Sequence, residues 1–321
     1  MRRAAALLTL AALAAGCSGE PRPAAPTSGS AAPTPIPTPK ATPPRASAEP
    51  EPRVSPDDVR VRTATAAVRH LADEIGPRPG TTRAYFRAAA WTQRRLEELG
   101  WQVERQRFPT PAGYSWNGPV AAGPSVNVLA TRGDVRPGEP WLAVGAHLDT
   151  VVGSPGAEDN ASGVGVLLAV AEALSGRRSR LPVVLIAFGS EEPRGQGDSH
   201  HHYGSRAYVA SLTPEQRRTL RGMISLDRVG VGPAVPVGSP ADNLDPPTRR
   251  VLAAAARAGV PTLPETGQRS SDHWSFAREA MPAVRLGSTP YAGYHSPGDV
   301  PAVVEPAQLE RTARVVLAWL R

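Results

Sequence analysis

Glu191 and Glu192 stand side by side just past an apolar run, Leu181–Phe188. They belong to an ordered set: His147-x-Asp149, then Asp159-Asn160, then Glu191-Glu192, then Asp227, then His295. Each member falls just past a strand-like run or in a loop behind one. Imidazole nitrogens and carboxylate oxygens are zinc donors, and a catalytic zinc keeps three of them plus an open position. A paired site holds its metals roughly 3.5–4 Å apart and can share a ligand between them. A carboxylate has two oxygens with which to bridge, whereas an imidazole normally cannot. Asp159 is therefore assigned as the bridge. One metal takes His147, Asp159 and Asp227; the other takes Asp159, Glu192 and His295. Without cations, three packed carboxylates would repel and some would be protonated. A pair of divalent zincs with a bridging hydroxide brings them to neutrality. Glu191 is then left over and is assigned as general base. Asp149 is placed to accept the second imidazole N–H of His147 and fix its tautomer.

The elements that must position this set are legible as periodic runs. Strands are expected at Trp101–Phe108, Ser125–Ala130, Trp141–Ala146, Leu181–Phe188, Gly222–Leu226 and Ala283–Leu286. Leu181–Phe188 is apolar throughout, as in a central strand buried on both faces. Helices are expected up to Leu99, where Gly100 stops the chain, and over Ala161–Leu174, Tyr203–Ser211, Pro246–Ala258 and Ser271–Ala280. A terminal helix carries Leu309, Ala313, Val316, Leu317 and Leu320 on one face. Strands alternating with helices imply an α/β fold, a single globular domain with a central, mostly parallel sheet flanked by helices. In such sheets ligands bind outside the carboxyl ends of the strands, which is where His147, Glu191-Glu192 and Asp227 fall.

Seven segments in order carry a resemblance: Gly145–Asp149, Gly156–Gly163, Phe188–Glu192, Gly204–Tyr208, Ser225–Asp227, Ser271–His273 and Tyr294–Pro297. Together, over roughly residues 60–321, the chain resembles the dizinc exopeptidases of bacterial aminopeptidase and aminopeptidase Y type, peptidase family M28. The resemblance implies the same metal ligands as those assigned above, two zincs, and hydrolysis of N-terminal peptide bonds in a peptide or aminoacyl substrate. It also implies Tyr294 as hydrogen-bond donor to the tetrahedral oxyanion and a cis peptide between Asp159 and Asn160. Glu191 and Asp227 would hold a free α-ammonium group.

The connection Pro193–Tyr203 is longer than in simple bacterial aminopeptidases of this kind. Its His200-His201-His202 run is read as a polar loop at the cleft lip, because adjacent side chains point in different directions. A longer loop here is also found in glutaminyl cyclases, single-zinc relatives, so a glutaminyl-peptide cyclotransferase is the alternative enzyme. A second alternative is a metal-stabilised surface binding protein that has lost catalysis; it should lack Glu191 or a ligand, and this chain keeps them. Asp272 and His273 are read as a helix start behind the site, and His70 as a helix-surface residue.

The amino-terminal end differs in kind. Arg2-Arg3 precede the apolar stretch Ala4–Ala15, too short to span a bilayer and matching a secretory signal. Leu13–Cys17 resembles a bacterial lipobox, with Ala14 where Leu is common. Cleavage would leave Cys17, the only cysteine, as the lipid attachment point, and no disulfide can form within the chain. Residues 18–55 hold eleven of the 36 prolines and read as an extended tether, reaching on the order of 100 Å. The expected organisation is a signal peptide at 1–16, a lipidated Cys17 with its linker to 55, and a peptidase domain at 56–321. The protein would then be exported and face outward from the cell membrane, held there only through its lipid; plain secretion is the alternative. The formal charge of +7 comes from scattered arginines, with Lys40 the only lysine. No basic stripe or known module suggests nucleic acid. Nothing in the sequence sets an oligomeric state.

Overall fold

The computed structural model describes residues 51–321 apart from Asp134, Pro137 and Ser288. The expected signal peptide, Cys17 and the tether up to residue 50 lie outside the described residues.

In chain order the elements are α1 (Val61–Arg69), α2 (Arg83–Glu98), β1 (Gln102–Thr110), β2 (Gly113–Ser115), β3 (Gly118–Val120), β4 (Gly123–Thr131) and β5 (Trp141–His147). Then follow α3 (Gly163–Ala173), β6 (Val183–Phe188), α4 (Tyr203–Ser211), α5 (Pro214–Thr219) and β7 (Leu220–Leu226). The chain closes with β8 (Val235–Gly238), α6 (Pro246–Arg257), β9 (Thr262–Glu265), α7 (His273–Ala277), β10 (Ala283–Leu286) and α8 (Pro306–Leu320).

Eight strands form one mixed sheet in the order β1-β4-β6-β5-β7-β10-β8-β9. Its centre, β6-β5-β7-β10, is parallel, and β4 and β8 join it antiparallel on either side. The α/β fold expected from the alternating runs is the one observed. Every residue of β5 and β6 is buried. Their side chains alternate between two cores. Val144, Ala146, Leu185 and Ala187 face α1, α3 and α8, while Ala143, Val184, Ile186 and Phe188 face α4 and α7. Complete burial of a side chain such as Leu167 or Phe188 contributes about 1.5–3 kcal/mol. α3 is apolar around almost its whole circumference, and that is possible because it lies between the sheet and α1 and α8. Gly165 allows the close approach: a Cβ there would meet the Ala64 carbonyl oxygen of α1 at 2.7 Å.

The parallel centre ends in register. His147 of β5 pairs with Phe188 of β6, Ala146 with Leu226 of β7, and Leu226 with Leu286 of β10. After β6 the chain crosses to the other side of β5 to form β7, so the strand order reverses beside β5. Such a reversal opens a crevice at the carboxyl edge.

Two expectations need correction. The linker does not run to residue 55: Val54 is fully buried, its N–H donates to the Arg178 carbonyl, and the Arg178 N–H donates to Pro52. A single apolar residue among prolines gave too weak a signal to mark that docking. The helix expected over 271–280 is only the short α7, because Ser271 and Asp272 form a turn ahead of it. The hairpin β2–β3, α5, β8 and β9 were not anticipated. Among the described residues no helix is long and apolar enough to cross a membrane.

Candidate metal centre

His147 is the last residue of β5, and its Nε2 points over the sheet edge. It lies 3.1 Å from Asp159 Oδ1 and 3.7 Å from Asp227 Oδ1. The other oxygen of Asp159, Oδ2, lies 3.1 Å from His295 Nε2, which is 3.5 Å from Glu192 Oε2. The five residues expected to hold metal therefore fall into two donor sets that share Asp159, one oxygen to each. All five are buried. In a tetrahedral site with bonds of about 2 Å, ligand atoms sit roughly 3.3 Å apart. The measured separations straddle that figure, so the side chains fit a pair of zinc-sized cations. Glu192 Oε1, the oxygen turned away from His295, is buried with no hydrogen-bond partner among the described residues.

Electrostatics point the same way. Burial pushes the Asp159 carboxyl up, but the imidazoles of His147 and His295 outweigh it and hold the group below its usual range. Burial likewise opposes ionisation of Asp227, yet the Arg285 guanidinium and the His147 ring hold its carboxyl well below the usual range. Burial, then the charges of Asp159 and Glu191, push Glu192 well above. Burial opposes charge on His147, but Glu191, Asp159 and Asp227 raise the ring well above its usual value. Binding of divalent cations by these groups would be coupled to release of any protons they carry.

The supports explain why these side chains converge. The 157–162 segment carrying Asp159 contains a cis peptide between Asp159 and Asn160. It is tied down by Asp299, whose carboxylate accepts the Glu158 N–H at 2.7 Å and the Asp159 N–H at 3.1 Å. Asn160 donates to the Leu226 carbonyl at 2.8 Å, which fastens the segment to the end of β7. Arg78, fully buried, donates to the carbonyls of Leu148, Pro155 and Gly156 and joins the ends of β5 and this segment. Asp227 is flanked by Arg285 at 3.2 Å and Arg228 at 3.7 Å. His295 stacks on Tyr294 with centroids 3.7 Å apart and meets Trp116 edge-on at 4.6 Å. Asn117 donates to the His295 carbonyl at 2.7 Å, so the β2–β3 hairpin braces this histidine.

Asp149 does not stand where it was expected. Its carboxylate is 3.9 Å from His147 Nδ1, whereas its backbone carbonyl is 3.2 Å away and takes the imidazole N–H. The carboxylate turns instead to the next strand and accepts the backbone N–H groups of Glu191 and Glu192 at 3.0 and 3.2 Å. Two amide donors in reach satisfy a buried carboxylate better than one distant imidazole. Asp149 thus orients the glutamate pair.

Glu191 lies on the cavity wall, its Oε2 3.9 Å from His147 Nε2. Its Oε1 is 3.1 Å from His202 Nε2. Burial opposes ionisation of Glu191, but the charges of His147 and His202 outweigh it and lower its pKa. The histidine loop is therefore not only a polar lip: His202 is buried, and its N–H donates to the Glu191 carbonyl. Three consecutive histidines soon after the glutamate pair were the available signal, but not which one turns inward. Asp272 and His273 are buried behind the site at the start of α7, as expected, and neither joins a donor set. His70 stacks on Trp91 of α2 and pairs with Glu74, away from the site. Arg78, Arg228, Arg285 and Asp299 were missed by sequence reasoning. Arg228 alone carried a signal, its adjacency to Asp227.

The donor sets line a cavity of about 380 Å³ together with Trp116, Asp198, Arg228, Arg269 and Tyr294. Comparison with known proteins bears on the family and the fold. The chain is 33% identical over 126 residues to the uncharacterized protein YfbL of Escherichia coli, covering 37% of this chain and 36% of that one. It is 30% identical over 185 residues to aminopeptidase YwaD of Bacillus subtilis, covering 54% and 39%. The matches thus span under two-fifths of those relatives' length. Among solved structures, a zinc aminopeptidase of Bacillus subtilis, BSAP, shares the fold at TM-score 0.72 and 18% identity, covering 81% of this chain and 94% of that one. Glutaminyl cyclase of Porphyromonas gingivalis shares it at TM-score 0.70 and 21% identity, covering 82% and 98%. The sequence model described as Peptidase family M28 matches residues 127–320, which contain all five donors and Glu191. On that match the chain belongs to peptidase family M28.

Proposed function

We propose that this chain is a zinc-dependent aminopeptidase with two metal ions per chain. The observation that carries the reading is Asp159, whose two oxygens each lie 3.1 Å from a different histidine. His147, Asp159 and Asp227 would hold one zinc; Asp159, Glu192 and His295 the other. When bound, such metals supply a water that ionises near neutral pH and polarise the scissile carbonyl. Glu191 takes a proton from the attacking water and passes it to the leaving amine. Asp149 fixes the backbone of Glu191, and His202 holds one of its oxygens. Tyr294, on the same cavity wall, donates to the oxyanion that forms on the substrate carbonyl. The negative charge of Glu191, which is outside the donor sets, favours a free α-ammonium group at the cavity, which makes the activity exopeptidic.

The likeness to YwaD, an aminopeptidase, and to BSAP, a zinc aminopeptidase, supports this reading. The likeness to glutaminyl cyclase gives the alternative its standing. A panel of aminoacyl anilides, their N-acetylated forms and an N-terminal glutamine peptide separates the two on zinc-loaded protein. Amine release from the free forms alone, without ring closure, is expected. Glu191→Gln should lower kcat by roughly 10²–10⁴; undiminished turnover would remove Glu191 as the base. Equal cleavage of acetylated and free substrates would reject the exopeptidic reading.

The same proposal includes export. The leader 1–16 is removed, Cys17 is lipidated, and a tether reaches the domain near Pro52. Mass spectrometry of the amino-terminal peptide tests this: an acylated Cys17 is expected, and an unmodified thiol would reject it.

A further inference from the structure

Arg228 follows Asp227 directly, in a left-handed backbone conformation with φ 57°. Its N–H donates to Asn160 Oδ1 at 3.2 Å, which turns the residue toward the crevice. The side chain is 16% exposed and forms part of the cavity wall. The guanidinium carbon lies 4.4 Å from the centroid of the Tyr294 ring. Packing against a ring face engages the flat face of a guanidinium and leaves the N–H donors on its edges free. Among the described residues, those donors meet no hydrogen-bond acceptor; the nearest carboxylate oxygen, on Asp227, is 3.7 Å from Nε.

Asp227 does not need Arg228 for its charge to be met, because fully buried Arg285 already stands 3.2 Å from its other oxygen. Arg269, the other arginine of the wall, is occupied: it donates to the Pro240 carbonyl and pairs with Asp242 at 3.1 Å. With the donor sets neutralised by metal, Arg228 is the guanidinium of the cavity whose donors remain for a ligand. A planar fork of N–H groups matches a carboxylate in two parallel bonds.

We propose that Arg228 binds a carboxylate of the substrate, so that this site selects peptides bearing one close to the scissile bond. The inference rests on the aminopeptidase reading for what enters the cavity. Two sources share the chemistry: an acidic side chain on the first residue, or the free carboxyl terminus of a dipeptide. Arg228 is thus a specificity-determining residue, distinct from the groups that move protons.

The test measures binding and turnover separately. Calorimetry on the full-length, zinc-loaded Glu191→Gln protein compares Asp-Gly-amide with Asn-Gly-amide, and Leu-Gly with Leu-Gly-amide. The carboxylate member of at least one pair is expected to bind about tenfold or more tightly, the size of a charge-assisted pair at a partly buried site. The pair that discriminates identifies the source. Adding Arg228→Met should reduce that ratio to within about threefold, whereas Arg228→Lys should keep part of it. Equal binding within both pairs, or a preference that survives Arg228→Met, overturns the proposal. If Arg228→Met does not fold, the Arg228→Lys ratio decides, and an unchanged ratio counts against the proposal. Turnover of the same peptides by the unsubstituted protein tests the peptidase reading by itself. Discrimination without hydrolysis would reject that reading and leave the carboxylate site standing.

Discussion

His202 Nε2 lies 3.1 Å from Glu191 Oε1, and both side chains are buried. Burial opposes charge on His202, but the hydrogen bond and charge of Glu191 raise its pKa. The pair fixes one carboxylate oxygen and leaves the other facing His147. Replacing His202 with Ala should lower kcat by about ten- to a hundredfold, the usual effect of losing a group that orients a reacting residue. KM should change less, because His202 touches the proposed base rather than the substrate. His202→Gln, whose amide nitrogen reaches about as far as the imidazole Nε2, should recover part of kcat. Steady-state kinetics on an anilide substrate check this.

Asp149 is the backbone clamp for Glu191 and Glu192. Asp149→Asn keeps the volume but presents an NH₂ to one of two amide donors. Loss of one charge-assisted bond and the new donor–donor contact should cost about 1.5–3 kcal/mol. Urea unfolding would show a lower midpoint at unchanged m-value. A stability within about 0.5 kcal/mol of the parent would contradict the clamp.

These two residues show where reading the sequence stopped. The glutamate pair was legible because it ends an uninterrupted apolar strand, and His147 and Asp227 because each follows another. Convergence followed from the sheet's edge. Asp149's partner was not legible, because the choice between an imidazole next door and two amides on β6 depends on strand pairing. Which of three adjacent histidines turns inward depends on how residues 190 and 191 hold the loop. Arg285 sat unnoticed inside a strand. β8 and β9 were hidden by Pro236 and Pro264, which argue against strands in a sequence. The structure accommodates Pro264 on an edge strand.

Burial lowers the pKa of His273 to about 3, and its Nε2 meets the Gln268 carbonyl at 2.7 Å. The folded protein therefore keeps this ring neutral where the unfolded chain, with an ordinary value near 6.5, takes a proton. Its contribution to stability is fully present above about pH 6.5 and is lost progressively as pH falls toward 3. His273→Gln should reduce the slope of stability against pH in that window by up to ~1.4 kcal/mol per pH unit, one proton's worth. Denaturant titrations at several pH values between 4 and 7 measure it; parallel curves would contradict the assignment.

Val54 docks the start of the domain beside Arg178. A chain beginning at Ser55 should lose about 2 kcal/mol relative to one beginning at Glu51. Calorimetry should show a Tm lower by roughly 4 °C or more. Equal melting would return the boundary to residue 55.

The central claim is that Asp159 joins two metal ions. Metal analysis of the purified, zinc-equilibrated protein tests it most directly, alongside Asp159→Ala. The account predicts two zincs per chain, falling below one in the variant. A single zinc that survives Asp159→Ala would contradict it.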